Sequence, residues 1–325
     1  MEKLIIIGGG IAGLVSGYVF SKVDGVQVRL FEPGRLGGEF LAGGLKYVRK
    51  TSRTSSMLDD LEVSYSPYIV KGGLLLRGRV LPYPACLRDM PTEQAERIRA
   101  DHYRKTRKAE PTTWAAKSMN DPHETGSRRA LQCDFKHMAR ALAERVEVIE
   151  KTVASIGKDM VTMTDGTCAK FDALISTIPL WILRRMVHFD VPNCVAMKLN
   201  IVFVAPRRNP YVRWDYIYTP YTPESTIHRI SPCSVGYAAE INGELDMNRA
   251  MGDLGFLFQD GFHVDKVRAE MKGHLLPLDT PTDWPENMAP IGRFSEWNPR
   301  ATMDVCLERA YELAERWFGY VENEG

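Results

Sequence analysis

Apolar and polar positions alternate between two periods along this chain. Leu4 to Ile7 is a wholly apolar, β-branched run, as a strand buried on both faces requires. Ile11, Leu14, Val15, Tyr18 and Val19 then recur at helical spacing, and 26–31 predicts a second strand. A helix is expected over 51–61, capped by Thr51 or Ser52. Residues 65–83 predict paired strands interrupted at Gly72-Gly73 and ended by Pro82 and Pro84. A basic helix follows over 92–108, then a polar loop or lid over 109–128 and a short amphipathic helix over 135–145.

The second half is richer in strands. Residues 146–178 predict three, with a turn at Gly166 and an end at Pro179. Further strands are expected over 194–204, 213–219, 226–230 and 235–241, with Pro220, Pro223 and Pro232 between them, so this region reads as mostly antiparallel sheet. Residues 290–297 form a last strand-like run. Asn298 and Pro299 then supply a cap and a first-turn proline, and Met303, Leu307, Ala310, Ala314 and Trp317 mark one face of a final helix.

Between the first strand and helix, Gly8, Gly10 and Gly13 stand in G-x-G-x-x-G spacing, and Glu32 closes the second strand. Gly8 allows a tight turn, Gly10 lets the backbone approach a pyrophosphate, and Gly13 lets the helix pack close to the strand. The helix N-terminus, at Ile11 and Ala12, offers free N–H groups and a positive dipole end to the phosphates. Glu32 is placed to accept hydrogen bonds from a ribose diol, and its charge repels a 2′-phosphate. The strand–turn–helix context, with an acid about 20 residues on, is what this motif requires. Arg35 with Gly37-Gly38 forms a second turn that exposes backbone, suited either to a diphosphate or ribose or to an ordinary surface.

With 325 residues the chain is long enough for two modest domains. Charge is nearly balanced, 42 Lys and Arg against 41 Asp and Glu, so the chain as a whole names no partner. The glycine turn within the first 20 residues argues against a signal peptide, and the apolar stretch 173–187 is broken by Pro179, Arg184 and Arg185, so no membrane span is expected. Six scattered cysteines without C-x-x-C suit reduced thiols in a cytoplasm, and the seven histidines form no metal-binding pattern, so no metal is expected.

Three separated stretches carry a family resemblance: IIIGGGIAGL…LFE…RLGG, then TVASI…VTMTDGT…FDALISTIPL, then GRFSEWNPRATMD before the final helix. Together the chain resembles the two-domain FAD-dependent enzymes that include flavin amine oxidases, protoporphyrinogen oxidases, phytoene desaturases and UDP-galactopyranose mutases. The resemblance implies an α/β fold: a Rossmann-like FAD-binding domain, parallel sheet with helices, plus a smaller, mostly antiparallel substrate domain. The division it implies is 1–64, 133–193 and 285–325 for FAD, and 65–132 and 194–284 for substrate. It places the AMP half of FAD on the first motif, a backbone contact near the adenine at Val153, with Thr177 after it, and the ribityl–phosphate and pyrimidine edge against Gly292, Arg293, Met303 and Asp304. Glu39 departs from the family, which often has arginine after the paired glycines, and the spacing from Glu32 to Gly37 is short.

The resemblance implies hydride removal from a carbon beside nitrogen in an amine or amino-acid-like group. Without a second strand–glycine–helix motif, a dedicated nicotinamide domain is not expected. Position nominates Lys46, Tyr47, His228, Arg229, Tyr237 and Trp297 on the substrate side, each of which also has a purely structural reading. A redox-neutral nucleotide-sugar mutase and a non-catalytic flavin binder are the alternatives. The basic run Arg97, Arg99, Arg104, Lys105, Arg107 and Lys108, with Arg128 and Arg129, reads first as a solvated face and second as a footprint for nucleic acid. Small flavoproteins resembling this family occur in phage pathways that elaborate DNA bases, which would put the amine on a base.

Overall fold

A computed structural model describes residues 1–38, 47–76, 78–83, 85–87, 89–106, 127–194, 196–219, 225–275, 281–298 and 301–322, without the side chains of 85, 99, 102–106, 127, 128 and 270–274. Its first sheet is wholly parallel. The strands Met288–Pro290, Ala173–Ser176, Glu2–Ile7, Val26–Phe31 and Glu147–Ile149 stand side by side in that order. Glu2–Ile7 lies at its centre, and Leu4 to Ile7 are all buried, as their unbroken apolar run requires. The helix Ile11–Phe20 is buried from Gly13 to its end, which fits a helix apolar all round. The final helix Met303–Phe318 packs along it, and Phe20 meets the rings of Trp317 and Phe318 at 6.2 and 5.8 Å.

The helix Ser52–Asp60 starts where its sequence says it should. The Thr51 hydroxyl accepts from the Thr54 N–H, and the Thr54 hydroxyl accepts in turn from the Thr51 N–H. Arg53 then ties this helix to the last one through Glu308 and to the segment beyond it through Glu322. Thr51→Ala is expected to lower unfolding stability by about 1 kcal/mol in urea titration, with the slope unchanged.

A three-stranded antiparallel meander, Val153–Ile156, Met160–Met163 and Cys168–Lys170, follows the parallel strand Glu147–Ile149. The third sheet has nine strands. Its main path runs Phe262–Leu275, Ala196–Pro206, Gly236–Asn242, Ile227–Cys233, Tyr216–Tyr218, Tyr65–Leu76, Ser127–Cys133 and Val48–Arg49, with Arg79–Pro82 beside Tyr65–Leu76. All pairs are antiparallel except Tyr216–Tyr218 with Tyr65–Leu76. The helix Met247–Leu257 covers one face, packing Ala250, Leu254 and Leu257 on Ile227, Ile230, Tyr237, Ala239 and Ile241. At the far end of the path, Val48 and Leu131 join the core of the parallel sheet.

Several expectations change. No turn forms at Gly72-Gly73: one strand runs through both and turns later, beside Gly78. These glycines make room instead. A Cβ on Gly72 would lie 2.4 Å from the Tyr216 hydroxyl, and one on Gly73 would lie 2.5 Å from Val80. The last helix begins at Met303 with Thr302 as its N-cap, because Asn298 and Ala301 close a turn of their own first. Pro299 lies outside the described residues, as does 107–126, which takes in most of the expected lid. Ser127–Cys133 proves to be a strand. Met247–Leu257 and the long strand Phe262–Leu275 occupy a stretch for which the sequence reading expects no element.

Candidate functional site

Beyond the carboxyl ends of the parallel strands Glu2–Ile7, Val26–Phe31 and Met288–Pro290 lie three glycine turns, and these turns touch. Gly8 has φ 103°, and a Cβ there would lie 2.5 Å from Thr177 Oγ1. The Thr177 hydroxyl is shared between the carbonyls of Ile7 and Gly8 at 3.1 and 2.9 Å, so this residue braces the first turn. Gly13 packs tighter still: a Cβ would stand 2.0 Å from the Gly8 carbonyl oxygen. The Gly37 N–H donates to the Gly9 carbonyl at 2.8 Å, and Gly10 pairs with Gly37 as an isolated parallel bridge. A Cβ on Gly38 would face Gly10 Cα at 3.6 Å. From the far end of the sequence, Gly292, at φ 108°, comes to the helix start: a Cβ on it would lie 3.0 Å from Ala12 Cβ.

Gly10 is different from these neighbours, because a Cβ on it would meet nothing within 4 Å. It is the N-cap of the helix Ile11–Phe20, and no side chain caps that end. The final helix is likewise without a side-chain hydrogen bond from its N-cap, Thr302. The helices led by Thr51, Asp134 and Asp246 are all capped by those side chains. The two helix starts beside the glycine turns thus keep donors that these three helices have satisfied through a side chain; the short helix Leu180–Met186, led by Pro179, has no side-chain cap either.

Glu32 sits at the end of its strand as expected. Its two carboxylate oxygens accept from the Gly9 and Gly34 N–H groups at 2.7 and 2.8 Å. A carboxylate has about four acceptor directions, and these two bonds leave others unused. Arg35 is exposed and borders, with Lys136 and Arg140, a hollow beside this loop. Val153 buries its side chain with Ile5, Ile7 and Phe31 under the small meander. Met303 is buried in the parallel-sheet core, and the Asp304 carboxylate faces the Thr302 hydroxyl at 2.6 Å and Arg49 at 3.6 Å.

The substrate-side candidates separate. Across the large sheet Tyr218 stands opposite Arg229, and Arg229 opposite Glu240. A register shift between Ile227 and Arg229 brings His228 to the same carboxylate. Arg229 meets Glu240 Oε1 at 2.5 Å, and His228 Nε2 lies 3.4 Å from Oε2. The Glu240 and His228 side chains are only 5% and 3% exposed, while Arg229 keeps 25%. Arg229 Nε is buried with no hydrogen-bond partner among the described residues. Burial alone would raise the Glu240 pKa, but the Arg229 charge and the His228 hydrogen bond outweigh it and hold it well below the usual range. Burial likewise works against the Arg229 charge, and Glu240 more than restores it. Partial desolvation, then repulsion from Arg229, lowers the Arg293 pKa, although part of its side chain reaches solvent.

Tyr47 packs, half-buried, with Val70, Ala130, Tyr216, Tyr68 and Tyr218. Tyr216 and Tyr218 also raise the Arg229 pKa, which puts this aromatic patch beside the arginine. Lys46 lies outside the described residues. Two candidates are corrected. Tyr237 alternates with Glu240 along its strand and points to the opposite face, buried against Tyr211 and Phe258 with its hydroxyl on Asn209. Trp297 is 3% exposed, packed among Leu180, Leu275, Trp181 and Phe294. Both are packing residues. Glu240 is the residue the sequence reading missed.

Of the basic run, only the side chains of Arg97 and Arg129 are described; Arg97 pairs with Glu93 at 2.6 Å and Arg129 is exposed. Among the described residues no group of three or more His, Cys, Asp or Glu could hold a metal ion, and no helix is long and apolar enough to cross a membrane.

No protein-family model matches the chain, and no curated protein matches it. Solved structures do, over nearly its whole length. A Pyrococcus furiosus protein is 15% identical, with 99% of each chain covered and a TM-score of 0.70. A reduced UDP-galactopyranose mutase is 12% identical, covering 99% of this chain and 95% of its own, at 0.66. Glycine oxidase from Bacillus cereus is 12% identical, covering 99% and 96%, at 0.60. The chain therefore has the α/β fold, parallel sheet with helices beside antiparallel sheet, found in flavin-dependent enzymes.

Proposed function

We propose that this chain is an FAD-dependent oxidoreductase of the amine-oxidase-like kind, which removes a hydride from a carbon beside nitrogen in an amine or amino-acid-like group. The observation that carries the reading is the convergence of Gly10, Gly37-Gly38 and Gly292 around two helix starts without side-chain caps. Gly10 leaves open the space that a side chain would fill, and the free N–H groups around it suit a diphosphate. Bound FAD supplies the hydride acceptor; the protein positions and tunes.

In this reading Ile11, Ala12 and Gly13 offer their N–H groups to the diphosphate, and Glu32 accepts from the ribose. Arg35, Val153, Thr177, Arg293, Met303 and Asp304 complete the cofactor side. Arg229, pinned by Glu240, offers the exposed part of its side chain to the anionic end of a substrate. His228 is held by the same carboxylate, and Tyr47 and Tyr218 flank the substrate's body. A fold neighbour named glycine oxidase supports an amino-acid-like substrate.

A second reading, a redox-neutral nucleotide-sugar mutase, draws support from the fold neighbour named as a reduced UDP-galactopyranose mutase. One experiment separates them. Purified protein is given FAD, its absorbance is recorded, and it is mixed anaerobically with amines, amino acids, nucleotide sugars and aminoalkyl-modified DNA. Flavin bands that bleach with one amine class are the expected result, and that class names the substrate. Bands that never bleach, while chemically reduced protein converts a nucleotide sugar, favour the mutase. Bound flavin with no turnover of either kind leaves a flavin-binding scaffold. No flavin bands at all would overturn the cofactor assignment.

A further inference from the structure

The Gly292 turn, which meets the start of Ile11–Phe20, is closed from within by one side chain. The Glu296 N–H donates to the Gly292 carbonyl at 2.9 Å, and the Glu296 carboxylate accepts from the Gly292 N–H at 2.9 Å. The Gly292 N–H is thereby used inside the turn.

The rest of the segment is pinned at several points. Ser295 is fully buried and donates its hydroxyl to the Ser176 carbonyl at 2.6 Å. The Leu180 N–H donates to the Phe294 carbonyl at 2.8 Å, and the Asn298 N–H to the Arg293 carbonyl at 2.9 Å. Between these contacts Trp297, though buried, takes the left-handed backbone region at φ 51°, an outlier for so bulky a residue. Strain of this kind persists only where the surroundings over-determine it, and it gathers at ligand clamps.

Glu296 also feels the final helix. It is half-buried, and burial raises its pKa more than the Gly292 N–H lowers it. From Met303–Phe318, Arg309 favours its charge and Glu312 opposes it. The Cys306 thiol, in the first turns of that helix, is pushed up to about 12 by burial and then by Glu296. One carboxylate therefore adjoins both parts of the cradle that come from the end of the chain.

We propose that Glu296 is a positioning residue for the cofactor: by closing the Gly292 turn it holds Gly292 against Ala12 and fixes where Arg293 is presented to FAD. The inference rests on the FAD assignment and not on the choice of substrate. An ionised carboxylate is the stronger acceptor for the Gly292 N–H, so the grip on FAD loosens when Glu296 takes up a proton.

The experiment titrates the full chain with FAD, followed by flavin fluorescence, beside a melting curve of the FAD-free protein. Glu296→Ala leaves the Gly292 N–H without its acceptor and should weaken FAD about tenfold near pH 7. Glu296→Gln keeps an oxygen for that N–H and should bind within about twofold of the parent there. From about pH 7 to about pH 5 the parent should lose about threefold in affinity, whereas Glu296→Gln, which has no proton to gain, should lose less. A merely structural brace would move the melting midpoint and leave these two pH profiles parallel. Glu296→Ala that folds and binds FAD as the parent does would overturn the proposal. If Glu296→Ala does not fold, the profiles decide, and parallel profiles would overturn it equally. Either result leaves the FAD assignment standing; a parent that binds no FAD at all would remove that assignment and this proposal together.

Discussion

Gly13→Ala should lower both the stability of the fold and its affinity for flavin, whereas Gly10→Ala should lower chiefly the second. A Cβ on Gly13 would stand 2.0 Å from a backbone oxygen, so the helix or the strand must move. Such overpacking against backbone costs about 3 kcal/mol and is visible as a lowered denaturation midpoint. Gly10 has an extended backbone, φ −68° and ψ 177°, open to any residue, and nothing within 4 Å of the added methyl. The fold should lose less than about 1 kcal/mol there, the scale of an N-cap change. FAD affinity should still fall at least tenfold, about 1.4 kcal/mol, because the methyl enters the space assigned to the diphosphate. The two variants need only a melting curve and a flavin titration. If Gly10→Ala binds FAD as the parent does, the diphosphate does not lie on this turn.

The second large effect concerns Glu240. It is the carboxylate shared by Arg229 and His228, and its side chain is 5% exposed. Glu240→Met leaves the Arg229 charge without its partner, which for a buried pair costs about 3 kcal/mol. Arg229→Met/Glu240→Met should recover most of that loss, since replacing both charges by apolar groups is close to neutral. The double variant should nevertheless fail to bleach flavin with an amino-acid substrate, because the group assigned to its anionic end is gone. The same pair gives a pH signature. The Glu240 pKa is lower in the folded protein than in the unfolded chain. Its stabilisation is therefore full above roughly pH 4.3 and is lost as pH falls toward the folded value. Arg229→Met/Glu240→Met should lack that part of the acid sensitivity in urea titrations at pH 7 and pH 3.

How much of this was legible in the sequence depends on how local each requirement is. The turn at Gly8, Gly10 and Gly13 states its needs within a few residues: one positive φ, one open approach, one close contact. Glu32 and Thr177 are readable for the same reason, since each serves the end of its own strand. Gly72-Gly73 shows the limit. Paired glycines mark a turn or a close approach equally well, and only the Tyr216 ring across the sheet decides between them. Glu240 was invisible because its role depends on register: the shift beside Ile227 is what turns His228 and Arg229 toward one carboxylate. The same two-residue period takes Tyr237 to the other face. Met247–Leu257 hid behind Gly252 and Gly255, which break the helical pattern on a side that meets nothing within 4 Å.

The order of strands in the parallel sheet has a consequence for biosynthesis. Its central strand is residues 2–7, but the edge strand is residues 288–290, and the helix that packs along Ile11–Phe20 runs to residue 318. A ribosome making this chain delivers the beginning of the sheet long before its partner at the far edge. The side of Ile11–Phe20 that packs on Met303–Phe318 therefore stays uncovered until the end of translation, a long exposure of apolar surface of the kind that favours misassembly.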